Sequence, residues 1–291
     1  MSIPFPGSKR YAYKAVKAIA QGHGYDTVLE PFGGSCVLSV NLMADGLVKR
    51  AVAGDYDLFF ADYGDYLDVR DKLTDLCFKS GLKRTYHCDS GGKRRENLAV
   101  DSDGNVTAID RRVLSMEDRE TLQKLVLQTV PQRLWRHFYM GSKFVHSSLS
   151  IKGEGDYSIG DFRYFDGYLK SDREREYLKA LGNVELECLD YRDFIEKHRG
   201  EITPKTLLIL DPPYVGASQY QYQGEFTERD TVEMLDLANG LGCDYIFFNH
   251  DRDKVTRWLD GLECDIGFVG NARSSVNRRR RDVMAFVRVA Q

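Results

Sequence analysis

Thr27-Val-Leu-Glu-Pro-Phe-Gly-Gly-Ser-Cys36 and Arg50-Ala-Val-Ala-Gly-Asp55 are the two stretches that decide the fold. Each holds a short apolar run of strand type. A Gly-rich turn, Pro31 to Cys36, follows the first run, and Val37 to about Asp45 reads as a helix. Strand, turn, helix and strand in that order predict a parallel pair of strands, with ligands at their carboxyl ends. Upstream, Tyr11 to Gln21 reads as another helix.

The same rhythm returns from Asn183. Val184 to Cys188 reads as a strand and Tyr191 to His198 as a helix. Thr206-Leu-Leu-Ile-Leu210 is a buried-type strand that runs into Asp211. Glu228 to Leu241 is a helix with Val232, Leu235, Ala238 and Leu241 on one face. Tyr245 to Phe248 is a strand, Asp253 to Leu259 a helix, and Glu263 to Val269 and Asp282 to Val289 are closing strands. Between the two α/β segments lies a different region, residues 61–182. Asp65 to Lys79 and Met116 to Val130 read there as amphipathic helices, and Phe138 to Tyr168 as hairpins and loops. The expected fold is therefore an α/β domain from residues 1–60 and 183–291, split by an insertion over 61–182.

The 291 residues, 42% hydrophobic, suffice for one large α/β domain with an insertion. No 18-residue apolar stretch exists, so no membrane span is expected. The N-terminus lacks an apolar signal region. Six cysteines without a CxxC pair argue against a zinc site or disulfide framework, and for a reducing cytosol. A net charge of −3 leaves nucleic-acid binding to local basic patches.

Asp211-Pro-Pro-Tyr214 carries the clearest chemistry. Two prolines end the strand ladder and fix the backbone. The result is an acid, carbonyl acceptors and an aromatic plane, which suit a flat ligand with an exocyclic amino group. The alternative is a proline-stiffened loop. In the Gly-rich turn, glycines let a ligand approach the backbone, and an anion can sit at the helix N-terminus. Asp55 stands about 20 residues on, at the tip of the next strand, placed to accept from ribose hydroxyls. It would equally serve as a helix N-cap.

These stretches, taken in order, resemble the Dam-type, alpha-group family of DNA adenine-N6 methyltransferases. Phe5-Pro-Gly-Ser-Lys9 is similar to its N-terminal methyl-donor motif, and Leu29-Glu-Pro-Phe-Gly-Gly34 to its S-adenosylmethionine turn. Gly54-Asp55 resembles the ribose-binding acid. Cys188 to Phe194 resembles the segment that holds the donor adenine, with Asp193 at the contact position. Asp211 to Tyr214 is similar to the catalytic motif, Phe247 to Asp251 to a strand-end motif, and Arg273 to Arg278 with Arg281 to an Arg-rich motif. The chain departs from the family pattern at Phe5, where Trp is frequent, and at Ser8 and Cys36, where Gly is frequent.

The resemblance implies an S-adenosylmethionine-dependent methyltransferase fold, a mainly parallel Rossmann-like sheet with an inserted, largely helical target-recognition domain. It implies a cytoplasmic, bacterial or phage-encoded enzyme. Asp211, Pro212, Pro213 and Tyr214 would be catalytic. Phe5, Gly7, Lys9, Glu30, Pro31, Phe32, Gly33, Gly34, Asp55, Asp193 and Phe194 would bind the donor. No metal is needed. Double-stranded DNA would be the partner, gripped by Arg133, Arg136, Lys143, Arg278, Arg279 and Arg281. Tyr220, Tyr222 and Phe226 would offer a second stacking face to a base flipped out of the duplex. His250 would shape its strand end. The same acceptors would serve N4 of cytosine, and Cys36 keeps open a DNA-binding homologue without catalysis.

Overall fold

Apolar runs alternating with Gly-rich turns give the chain an α/β architecture, seen in a computed structural model that describes residues 8–56, 60–82, 98–100, 106–109, 114–135, 137, 145–147, 150–152, 156–158, 162–165, 172–214, 226–269 and 282–289. These divide into two compact units. One takes in residues of Gly7–Leu58 and Glu176–Gln291, the other residues of Phe59–Arg175.

The first unit begins with α1 (Tyr13–His23), β1 (Thr27–Glu30), α2 (Val37–Ala44) and β2 (Arg50–Asp55). The second unit contains α3 (Tyr63–Lys79), the antiparallel pair β3 (Leu98–Val100) and β4 (Val106–Ile109), and α4 (Met116–Thr129). Two further antiparallel pairs follow: β5 (Val145–Ser147) with β8 (Phe162–Phe165), and β6 (Ser150–Lys152) with β7 (Asp156–Ser158). Its core is partly polar: the buried Arg70 guanidinium meets Glu174 at 2.6 Å, and the Tyr63 hydroxyl donates to Glu174 at 3.3 Å.

Helix α5 (Asp172–Leu181) leads back into the first unit. The sequence reading assigned no helix there, because charged residues dominate and the apolar face is narrow. There follow β9 (Glu185–Cys188), α6 (Tyr191–His198), β10 (Thr206–Leu210), α7 (Glu228–Asn239), β11 (Asp244–Asn249), α8 (Arg252–Trp258), β12 (Glu263–Val269) and β13 (Asp282–Arg288).

Seven of these strands form one sheet in the order β12-β13-β11-β10-β1-β2-β9. The five from β11 to β9 are parallel, and β13 is antiparallel to both its neighbours. Burial follows from position. All five residues of β10 are buried, as a strand covered on both faces requires. The edge strand β9 has Glu185 and Cys188 exposed at its ends and Leu186 and Glu187 half-buried between them, and its two glutamates discourage pairing with another chain. From β1 the chain steps outward through β2 to β9; from β10 it steps the other way. The order therefore reverses between β1 and β10, and a ligand crevice opens at the carboxyl ends of such a pair.

Candidate functional site

Glu30 and Asp211 stand at the carboxyl ends of those two central strands, at the reversal. The Gly-rich turn leaves β1 there. Its backbone is tied to β2: the Gly33 N–H donates to the Gly54 carbonyl at 2.7 Å, and the Gly34 N–H donates to Asp55 Oδ2 at 2.7 Å. A Cβ on Gly33 would meet Cys36 Sγ at 3.0 Å and the Gly54 carbonyl at 3.1 Å, so a side chain there would press its neighbours apart by a few tenths of an ångström. The Tyr177 hydroxyl, on fully buried Tyr177 of α5, donates to the Ser35 carbonyl and fixes the far side of the turn. Cys36 closes it with φ at +48°, a left-handed conformation that costs an L-residue about 1–2 kcal/mol. Its thiol is buried, and burial first, then the acids Glu30 and Asp55, push its pKa well up.

Among the described residues Asp55 caps no helix: it ends β2, and the next described helix starts at Tyr63, where Asp62 holds the N-cap position. Glu30 is only 3% exposed and accepts from the Ser39 N–H at 3.3 Å and from the Ser39 hydroxyl. Burial raises its carboxyl to about 8 against that hydrogen bonding, with Asp211 and Asp55 adding to the rise.

Across the reversal, Asp211 is engaged on both oxygens. Lys9 Nζ lies 2.7 Å from Oδ2, and the Tyr214 hydroxyl lies 3.3 Å from Oδ1. Lys9 is 6% exposed, and its ammonium lies 5.1 Å from the Tyr214 ring centroid. The sequence motif placed Lys9 with the methyl donor, and its side chain reaches the acid of the Pro-Pro-Tyr motif. Burial raises the Asp211 pKa, opposed by Lys9 and reinforced by Asp282. The Tyr214 ring packs on His250 with centroids 5.3 Å apart. The strand end itself is shaped by the neighbours of His250. The Asn249 side chain accepts from the N–H groups of His250 and Asp251, and Asp251 caps α8.

The next parallel strand, β9, leads into α6, capped by Asp190. Asp193 is exposed in the first turn of α6. Phe194, named with the donor-binding residues, is 0% exposed. Its ring lies where a Cβ on Gly54 would approach to 2.4 Å, and it packs on His198. It supports β2 from inside the core. Phe32 stacks on Tyr191 at 5.2 Å, and Phe226 meets both rings at 6.0 Å. Phe226 thus belongs with the β1 turn and α6.

Two contributors escaped the sequence reading. Asp282 opens β13, whose antiparallel direction brings its first residue to the carboxyl ends of the parallel strands. Asp282 Oδ2 accepts from the Tyr11 hydroxyl and lies 3.2 Å from the Tyr214 hydroxyl. Nothing local marks Asp282 or Tyr11, since the pairing joins the two ends of the chain. Phe5, Gly7, Arg136, Lys143, Tyr220, Tyr222, Arg278, Arg279 and Arg281 lie outside the described residues. Arg133 is described, and its guanidinium is paired with Asp65 at 2.6 Å and Asp62 at 3.6 Å. Among the described residues, no group of three or more His, Cys, Asp or Glu is placed to hold a metal. None of their helices is long and apolar enough to cross a membrane.

The mostly parallel seven-stranded sheet is compatible with a Rossmann-like methyltransferase fold. No family model matches the chain. A protein of Haemophilus influenzae named "Putative methyltransferase" is 23% identical over 273 residues, covering 90% of this chain and 79% of that one. This distant similarity supports a methyltransferase in general terms and specifies no methyl acceptor.

Proposed function

We propose that the chain transfers a methyl group from S-adenosylmethionine to N6 of adenine in DNA. One observation carries the reading. At the sheet's reversal, Asp211 of an Asp-Pro-Pro-Tyr motif faces an N–H-bearing cation, Lys9, at 2.7 Å, beside the Tyr214 ring. That is a seat for an amino group next to an aromatic plane.

The turn from Pro31 to Cys36 fits the donor. Gly33 sits where a Cβ would crowd Cys36 and the Gly54 carbonyl, and Asp55 stands beside the Gly34 N–H. The donor supplies a sulfonium-activated methyl group: its S–CH3 bond breaks as the N–CH3 bond forms, and the electron pair stays on sulfur. The chain's own residues orient the acceptor. The adenine N6 lone pair is delocalised into the ring. Asp211 and the Pro212 carbonyl accept its two hydrogens and favour a pyramidal nitrogen. Tyr214 stacks on the base face. N6 loses one proton after transfer, to Asp211 or to water. A base inside a duplex reaches this seat only when flipped out.

The test is methylation of DNA by the full chain with labelled donor, followed by hydrolysis and separation of the nucleosides. N6-methyladenine is expected. N4-methylcytosine would replace the acceptor base, and no labelled nucleoside would overturn the reading. Asp211→Ala should lower the rate by at least about 100-fold, the scale of losing one preorganised transition-state partner, with calorimetric donor binding retained. A variant as fast as the wild type would remove Asp211 from the chemistry.

A further inference from the structure

Both donors that saturate Asp211 also lie within reach of a second buried acid. Lys9 Nζ is 2.7 Å from Asp211 Oδ2 and 3.7 Å from Asp282 Oδ2. The Tyr214 hydroxyl is 3.3 Å from Asp211 Oδ1 and 3.2 Å from Asp282 Oδ2, and its one proton can serve only one of them. An amine that takes Asp211 must displace these partners. A buried ammonium with no carboxylate nearby would oppose that displacement strongly.

We infer that Asp282 is a positioning residue that receives Lys9 and the Tyr214 hydroxyl when a substrate amine occupies Asp211. This hand-over rests on the proposed reading of Asp211 as the amine acceptor. The site is built for it. Asp282 sits at the mouth of β13, beside the strand that carries Phe248 and Asn249. It is held by the Tyr11 hydroxyl, so it stays in place while its other partners change. The Lys9 ammonium also lies 5.7 Å from the Phe248 ring, on the same side. Burial and the mutual repulsion of the two acids raise the Asp211 pKa, while Lys9 between them lowers it, the behaviour of one cation shared by two carboxylates.

The first test is thermal melting of the ligand-free full chain. Asp211→Asn leaves Lys9 with Asp282, and Asp282→Asn leaves it with Asp211. The double variant takes both of these carboxylates away from the ammonium. Its melting temperature should fall by about 5 °C or more beyond the sum of the two single shifts. Adding Lys9→Met should abolish that excess, and should restore folding if the double variant does not fold. Additive shifts, or a triple variant no better than the double, would overturn the inference.

The second test is kinetic. Asp282→Asn should lower kcat/KM on DNA by at least about tenfold, mainly through KM, with donor affinity unchanged. In a Lys9→Met background the same substitution should cost less than about twofold, because no cation then needs a second partner. Equal losses in both backgrounds would reduce Asp282 to a structural residue. A wild-type chain that does not methylate DNA would defeat the proposed function, and the melting cycle would still judge whether Asp282 shares Lys9.

Discussion

Glu30 holds a carboxyl group inside the sheet, with two hydrogen bonds from Ser39 and almost no contact with water. Burial sets its pKa near 8, against an ordinary value of 4.5. Folding therefore favours the protonated form, and the unfolded chain ionises first. Between pH 4.5 and about 8 the native state binds more protons than the unfolded state, so stability falls as pH rises. The contribution is complete below pH 4.5 and lost on passing about 8, with a slope of at most about 1.4 kcal/mol per pH unit. Glu30→Gln keeps the shape and removes the titration. Its melting temperature should gain on the wild type as the buffer is moved from pH 5 to pH 8. Parallel curves for the two proteins would place the titration elsewhere.

Strand β2 and helix α6 show how closely the elements meet under the candidate site. A Cβ on Gly54 would fall 2.4 Å from the Phe194 ring, which is itself fully buried. Gly54→Ala should destabilise the chain by about 1–3 kcal/mol, the usual cost of overpacking. Gly22, inside α1, has nothing within 4 Å of its would-be Cβ. Gly22→Ala should stabilise by up to about 1 kcal/mol. Urea midpoints that move in opposite directions at unchanged slope would check both. The difference between these glycines also marks what a sequence can tell. Helix Tyr191–His198 and strand Glu263–Val269 match the boundaries expected from hydrophobic period. Helix α1 lies two residues later than expected, because it runs on through Gly22 to the left-handed Gly24. Helix α5 was not legible: Tyr177 is its main buried ring, and its hydroxyl partner at Ser35 is set by the tertiary fold. The same holds within the site. Asp211, Glu30 and Asp55 sit at strand ends that periodicity predicts. Lys9 and Phe194 were named from motifs, and Phe194 is fully buried; Asp282 joins through its contact with Lys9 near the other end of the chain, which no local pattern marks.

For the whole molecule, 44 acidic residues outnumber 41 Lys and Arg, and the net charge is −3. Such a chain does not attract DNA by its overall field. Under the proposed function, its grip comes from a few local cations, and their number is readable from salt dependence. Arg133 is a poor member of the set, because Asp65 and Asp62 already hold its guanidinium. A phosphate would have to displace one or both carboxylates, and counterion release would be correspondingly small. That leaves Arg136, Lys143, Arg278, Arg279 and Arg281 as the sequence-level candidates. If all five meet phosphates, the logarithm of the DNA affinity should fall with the logarithm of salt with a slope of about −4.5, each contact contributing about −0.9. Replacing Arg278 and Arg279 together by Ala should bring the slope toward zero by about 2. Arg133→Ala should change it by well under 1, since the exposed pairs it gives up are themselves screened by salt. Titrations at several salt concentrations, on DNA of fixed sequence, decide between these values. A slope near zero in the wild type would mean that phosphates contribute nothing to binding, and DNA would then be the wrong partner.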